Sequence, residues 1–246
     1  MATCEVCGND YELAAGFCHT EGVLGGAPIT GVRYCADGSA MSSEFNVVTV
    51  ETGGRAPEFT PRIGLTSTSC GLCGSDSIDT LSDRLAPLDP QGASAFDIET
   101  FPALCARVLR GQGLFTSTGA VHGAAAFDAD GTILVTREDV GRHNAVDKVI
   151  GRMLLDGHLP ASGLGLFVSG RSSFEMVQKA WAAGFAVLLS VSAPTSLAVE
   201  TARRANLLMA GFVRNDRLNV YSPERLAAPV PASRATPSKA RIASRP

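Results

Sequence analysis

The chain is short of several things, and each shortage excludes a class of function. No apolar run approaches the roughly 18 residues that a membrane span requires, so no spanning helix is expected. The start, Met-Ala-Thr-Cys-Glu, carries neither a basic nor an apolar segment. That argues against a signal peptide and for the cytoplasm. Positive charge is scarce in the body. Arg234, Lys239, Arg241 and Arg245 fall in the last twenty residues with no acid among them, and removing those four from a net charge of −3 leaves −7. Affinity for a nucleic-acid backbone needs clustered Lys and Arg, so phosphate recognition here has to be local. Aromatic residues make up only 6% of the chain, with scattered phenylalanines and a single Trp181 on a helix face. They read as core material, not as a platform for bases. Of the four histidines, His19, His122 and His158 stand singly, without partners at ligand spacing. A zinc deaminase needs His-x-Glu at a helix start and a downstream Pro-Cys-x-x-Cys. Neither His122-Gly123-Ala124 nor His143-Asn144-Ala145 has the glutamate, and no cysteine follows Cys105, which excludes that chemistry.

What the chain does have is Thr66-Ser67-Thr68-Ser69-Cys70-Gly71-Leu72-Cys73-Gly74. Two thiols lie at Cys-x-x-Cys spacing behind a run of hydroxyls, and Gly71 and Gly74 let the backbone turn and approach a partner closely. Hydroxyl and N–H donors lower a thiol's pKa and raise the reactive thiolate fraction. The spacing fits a redox or sulfur-handling pair, or half of a zinc site completed by Cys4-Glu5-Val6-Cys7. Against zinc, the pairs lie far apart in the chain, and a closed zinc site has no use for the hydroxyls. Seven cysteines, an odd number, speak against a secreted disulfide framework. Cys18, Cys35 and Cys105 read as small apolar residues.

The pattern predicts a short helix at 11–22, a β-rich stretch over 28–63 with its clearest strand at 46–50, and a turn-rich linker over 75–100. Beyond it, one helical face appears over 101–108 and a hairpin at 122–127 and 132–136. A helix follows through Val146, Val149, Ile150, Met153 and Leu154, with Asn144 as its N-cap. Strands at 164–168 and 185–191 alternate with helices that open at Ser172, in capping-box spacing with Glu175, and at 193–196. Two more strands, 207–213 and 218–221, flank Arg214-Asn215-Asp216-Arg217. Such alternation implies a three-layer α/β/α domain. The expected division is an N-terminal β-rich region at 1–83, the α/β/α domain at 84–226, and a Pro-rich disordered tail at 227–246.

Three loops carry chemistry-bearing side chains. Glu138-Asp139-Val140-Gly141-Arg142-His143-Asn144 joins a strand to a helix, where helix N-termini favour anions. Arg142 can fork to a phosphate, and His143 can donate or carry a proton near neutral pH. The structural alternative is an acid paired with the arginine and a histidine capping the helix. Ser169-Gly170-Arg171-Ser172 is a second such turn, in which Arg171 opposes the helix dipole unless an anion sits nearby. Phe212-Val213-Arg214-Asn215-Asp216-Arg217 combines a ring, an amide and two guanidiniums, which suits a flat base bearing phosphates. It equally fits a plain hairpin turn with solvated arginines.

Taken together, residues 69–74, 138–148, Gly170-Arg171 with Phe174-Glu175-Met176, 192–198 and 11–22 resemble the formate dehydrogenase accessory sulfurtransferases, the FdhD family, in order over roughly residues 9–226. The resemblance implies a cytidine-deaminase-like α/β/α core without zinc ligands and with a smaller β-rich N-terminal region. It implies a sulfurtransferase that takes persulfide sulfur from a cysteine desulfurase. The sulfur passes to the molybdenum bis(molybdopterin guanine dinucleotide) cofactor, a bound substrate, before insertion into formate dehydrogenase, whose activity requires it. On that analogy Cys70 carries the persulfide and Cys73 assists. Phe212, Val213, Arg214, Asn215, Asp216 and Arg217 contact the guanine dinucleotide, with His143 and Arg171 alongside. A homodimer with no resident cofactor or metal is implied as well. Cys4 and Cys7 stand where the family has a Pro-Gly turn. Two other readings stay open beside this one: a non-catalytic chaperone for the cofactor, and a zinc-stabilised interaction protein.

Overall fold

In chain order, the structure runs from helix α1 (Asp10–Thr20) through strands β1 (Gly31–Tyr34) and β2 (Val48–Glu51) to helices α2 (Gly74–Arg84), α3 (Phe101–Arg110) and α4 (Gly113–Thr118). Then come β3 (His122–Phe127), β4 (Ile133–Asp139), α5 (Arg142–Leu155), β5 (Gly165–Val168), α6 (Phe174–Ala183), β6 (Val187–Ser190), α7 (Ser196–Arg204), β7 (Leu208–Arg214), β8 (Arg217–Val220) and β9 (Ala240–Ile242). This is a computed structural model, and it describes residues 8–34, 47–58, 74–214, 217–226 and 240–242.

β1 and β2 pair antiparallel as a small ribbon. The other strands form one sheet in the order β4-β3-β5-β6-β7-β8-β9. β3 runs antiparallel to β4 and β5, while β5, β6 and β7 run parallel to one another. β3, β5, β6 and β7 are apolar at nearly every position because both faces are covered. Ala124, Ala126, Leu166, Val168, Leu188 and Met209 pack with Val146, Val149, Ile150, Val177 and Ala202 of α5, α6 and α7. Residues of opposite parity (Ala125, Phe127, Phe167, Val187, Leu189, Leu208) pack with Phe101, Leu104, Cys105 and Val108 of α3. Phe96, Phe101 and Phe127 meet edge-on beneath them. The expected three layers are therefore present.

α1 lies on α5 at backbone contact. A Cβ at Gly16 would overlap the Asp147 carbonyl, and one at Gly151 the Glu12 carbonyl, so only glycine permits this approach. Three local expectations are corrected. The first half of the supposed linker is α2, whose Ile78 and Leu81, one turn apart, enter the core beside Ala198 and Ala202 of α7. Gly141, not Asn144, is the N-cap of α5, because the Asn144 amide is turned back onto Asp139. The capping box at Ser172 and Glu175 does not form: α6 begins at Phe174 with Ser173 as N-cap, and Ser172 is bridged to Pro194 instead. Within the Pro-rich tail, Ala240–Ile242 pairs in parallel with β8, where the sequence gives no element.

This topology places the carboxyl ends of β4, β5, β6 and β7 and the start of β3 along one edge of the sheet. Ligands of open α/β sheets collect at such an edge.

Candidate functional site

The acidic residues of the β4–α5 segment each fix a different element of that edge. The Glu138 carboxylate accepts the N–H groups of Leu114 at 2.9 Å and Phe115 at 2.8 Å, holding the start of α4. Asp139 Oδ1 accepts the Gly141 N–H at 2.8 Å and the Asn144 amide at 3.1 Å. Its Oδ2 lies 2.6 Å from Lys148 Nζ, with both residues buried. Asp147, next to Lys148 on α5, receives Lys179 of α6 at 2.9 and 3.0 Å and the Thr20 hydroxyl of α1 at 2.9 Å. Burial pushes the Asp147 carboxyl up, and Lys179 and Thr20 oppose that push. The acid of this loop thus pairs with a buried lysine of its own helix rather than with Arg142. Removing one partner of a buried pair leaves an uncompensated charge, so these pairs hold the loop in place.

Backbone bonds then tie the edge loops to one another. Ser169 N–H donates to the Gly123 carbonyl and Gly123 N–H to Ser169 Oγ, each at 2.9 Å. Thr195 N–H donates to the Ser172 carbonyl at 3.0 Å and Phe212 N–H to the Ser192 carbonyl at 3.1 Å. The start of β3, the loops after β5 and β6, and the bulge of β7 are therefore one connected rim, with the end of β4 paired beside β3.

On this rim stand most of the site residues the sequence singled out. His143, at the first turn of α5, is pushed down to about 4, first by burial and then by the charges of Arg142 and Lys179. It is neutral near pH 7, so it can offer a ligand a hydrogen bond but does not carry a proton there. Its Nε2 is buried and has no hydrogen-bond partner among the described residues. Arg171 is exposed on the β5–α6 loop, and Arg217 is exposed at the start of β8. Phe212 sits in a bulge of β7 opposite β8 with φ at +53°, a conformation costly for a bulky side chain, and the residue is 37% exposed. Val213 is buried in the core and can offer a ligand only its backbone. Arg214 ends β7, next to the turn.

One residue at this edge was set aside in the sequence. His122 opens β3 opposite Asp139, half-buried. A Cβ at Gly170 would lie 3.5 Å from His122 Nδ1 and 3.5 Å from Arg142 Cδ, which puts imidazole and arginine stem side by side over the bare glycine. Burial first, then Arg142, pushes the His122 pKa down. No local signal marks it, since its neighbours come from α5 and the β5–α6 loop.

The thiol pair Cys70 and Cys73 lies outside the described residues, as do Cys4, Cys7, Cys35, Asn215 and Asp216. Of the described thiols, Cys105 is buried and pushed up to about 12, and Cys18 is raised by burial and by Asp147. Neither is a nucleophilic thiolate at neutral pH. Among the described residues no group of three or more His, Cys, Asp or Glu could hold a metal ion, and no helix is long and apolar enough to cross a membrane.

Comparison with known proteins bears on the chain as a whole. A profile of the FdhD/NarQ family matches residues 2–227. The chain is 44% identical over 223 residues to the sulfur carrier protein FdhD of Mycolicibacterium paratuberculosis, covering 87% of this chain and 81% of that one. It is also 44% identical over 223 residues to the sulfur carrier protein FdhD of Streptomyces avermitilis, with coverage of 88% and 79%. A crystal structure assigned to a formate dehydrogenase accessory protein from Desulfotalea psychrophila superposes with a TM-score of 0.66 at 25% identity, over 89% of this chain and 80% of that one.

Proposed function

The chain belongs to the FdhD/NarQ family, and from that premise we propose that it is a sulfur carrier accessory to formate dehydrogenase. The observation that carries this reading is the 44% identity to a sulfur carrier protein FdhD across 87% of the chain. In finer detail, the sulfur comes from a cysteine desulfurase and goes to a molybdenum bis(molybdopterin guanine dinucleotide) cofactor, bound as substrate, on its way to formate dehydrogenase. The protein works in the cytoplasm as a homodimer.

Cys70 is the carrier. Its thiolate attacks the outer sulfur of the donor's persulfide; the donor S–S bond breaks as the Cys70–sulfur bond forms, and a donor thiolate leaves. Cys73 then attacks Cys70 Sγ. The terminal sulfur departs as hydrosulfide to the molybdenum, and a Cys70–Cys73 disulfide remains for a cellular thiol to reduce. The hydroxyls at 66–69 favour the thiolate, and the raised pKa values of Cys18 and Cys105 make those two poor substitutes. The rim supplies the binding half of the reading. Arg171 and Arg217 bring charge to diphosphate, His143 brings a neutral hydrogen bond, and Phe212 brings an aromatic face to guanine.

Incubation with a cysteine desulfurase and free cysteine, followed by peptide mass spectrometry without reductant, tests the carrier role. The expected result is one added sulfur on the peptide containing Cys70 and Cys73, lost on reduction and absent from Cys70→Ala. If the thiols alkylate freely but gain no sulfur, the protein is a cofactor chaperone instead. Thiols that resist alkylation until a chelator is added would point to zinc.

A further inference from the structure

Among the described residues, no group hydrogen-bonds the His122 ring, although it is half-buried at the edge where the ligand loops converge. It reaches the β5–α6 loop from one side while the stem of Arg142 reaches it from another, both 3.5 Å from where a Gly170 side chain would begin. Gly170 puts no side chain between them, so the His122 ring and the Arg142 stem border the same bare backbone. Resting on the reading above, we propose that His122 contacts the diphosphate of the bound guanine dinucleotide, beside Arg142, and takes up a proton as it does so.

The physical argument is one of balance. A dinucleotide diphosphate carries two negative charges at any pH of interest, and Arg142 supplies a single fixed charge. In the free protein burial and then Arg142 both disfavour the charged form of the His122 ring. An anion in the same space reverses the second influence and adds a partner for the N–H, which favours imidazolium. The neighbouring acids do not supply that charge: Glu138 is bound to the start of α4, and Asp139 is paired with Lys148. The charged group that acts on the ring is Arg142, and Glu175 of α6 acts in turn on Arg142's neighbour His143. His143 is already neutral across pH 5.5 to 8, because its pKa is pushed down to about 4. By linkage, a ligand that raises a group's pKa binds more tightly as pH falls.

GDP-mannose is the probe, because its diphosphate is esterified at both ends and has no oxygen that titrates near neutrality. Calorimetric titration of the full chain should give binding several-fold tighter at pH 5.5 than at pH 8, with about tenfold as the ceiling that one unit of pKa rise sets well below the pKa of the free ring. In His122→Gln, which can still donate a hydrogen bond, the affinity should be equal at the two pH values within about twofold. His143→Gln should keep the wild-type slope. A pH slope that persists in His122→Gln, or that vanishes in His143→Gln, overturns the assignment to His122. Binding without any slope in the wild type overturns it too, while leaving the guanine dinucleotide reading intact. No binding of GDP-mannose at either pH overturns both.

Discussion

His143 is where burial and function meet in one side chain. Its folded pKa of about 4 lies below the ordinary 6.5, because the ring is buried first and faces Arg142 and Lys179 second. Above pH 6.5 neither folded nor unfolded chain protonates it, and its contribution to stability is constant. As pH falls from 6.5 towards 4 the unfolded chain binds a proton that the folded chain refuses, so stability is lost through that window. The loss amounts to about 2 kcal/mol, less than the whole shift implies because part of the ring still reaches water. Urea unfolding of wild type and His143→Gln at pH 7 and pH 4.5 isolates this share from the many carboxylates that titrate in both. The variant should lose less stability than wild type between the two pH values, and an equal loss would mean that the ring is not held neutral.

At the scale of elements, α1 is fastened to the core by proximity rather than by a large apolar face. Gly16 and Gly151 bring the α1 and α5 backbones into contact, and Thr20 then joins the buried Asp147–Lys179 pair. Gly151→Ala places a methyl group against the Glu12 carbonyl and must spread the two helices. We expect a loss of about 3 kcal/mol, a drop of roughly 6–12 °C in Tm for a chain of this size. Gly113→Ala, where a Cβ meets open space at the start of α4, is the matched control and should cost nothing. Equal melting temperatures for the two variants would show that the helices give way. This contact also marks how far the sequence could be read. Strands β3, β5, β6 and β7 and helices α3, α5, α6 and α7 were legible because their apolar residues repeat at the period of the element. α2 was not, because its composition is polar and only Ile78 and Leu81 are apolar; the surface that receives them belongs to α7. α4 was hidden for a related reason, being held by Glu138, which lies 23 and 24 residues away in sequence from the N–H groups it caps. Arg142, His143, Arg171 and the 212–217 turn were singled out by residue type and by their place after strands. His122 was set aside because its approach to Gly170 and Arg142 is a long-range contact that no local pattern contains.

For the whole molecule, a two-sided apolar core carries a polar rim, and the rim accepts local strain where the core does not. Phe212 is the clearest instance, with its φ of +53° in a bulge that turns a large ring outward from β7 while its N–H is tied to the Ser192 carbonyl. An aromatic residue in that conformation costs on the order of 1 kcal/mol relative to glycine. If the conformation serves to present the ring to guanine, stability and binding must move in opposite directions when it is removed. Phe212→Gly relieves the backbone and exposes less apolar surface, so its Tm should equal or exceed that of the wild type. Its affinity for GDP-mannose should fall about tenfold, the lower part of the range for one lost base–aromatic stack. Thermal unfolding and calorimetric titration of the same preparations measure both quantities. A variant that melts higher and still binds as tightly would place the guanine away from this bulge and leave its strain without a function. A variant that melts lower would mean that the Phe212 ring is part of the packing of β7 and β8 rather than of the rim.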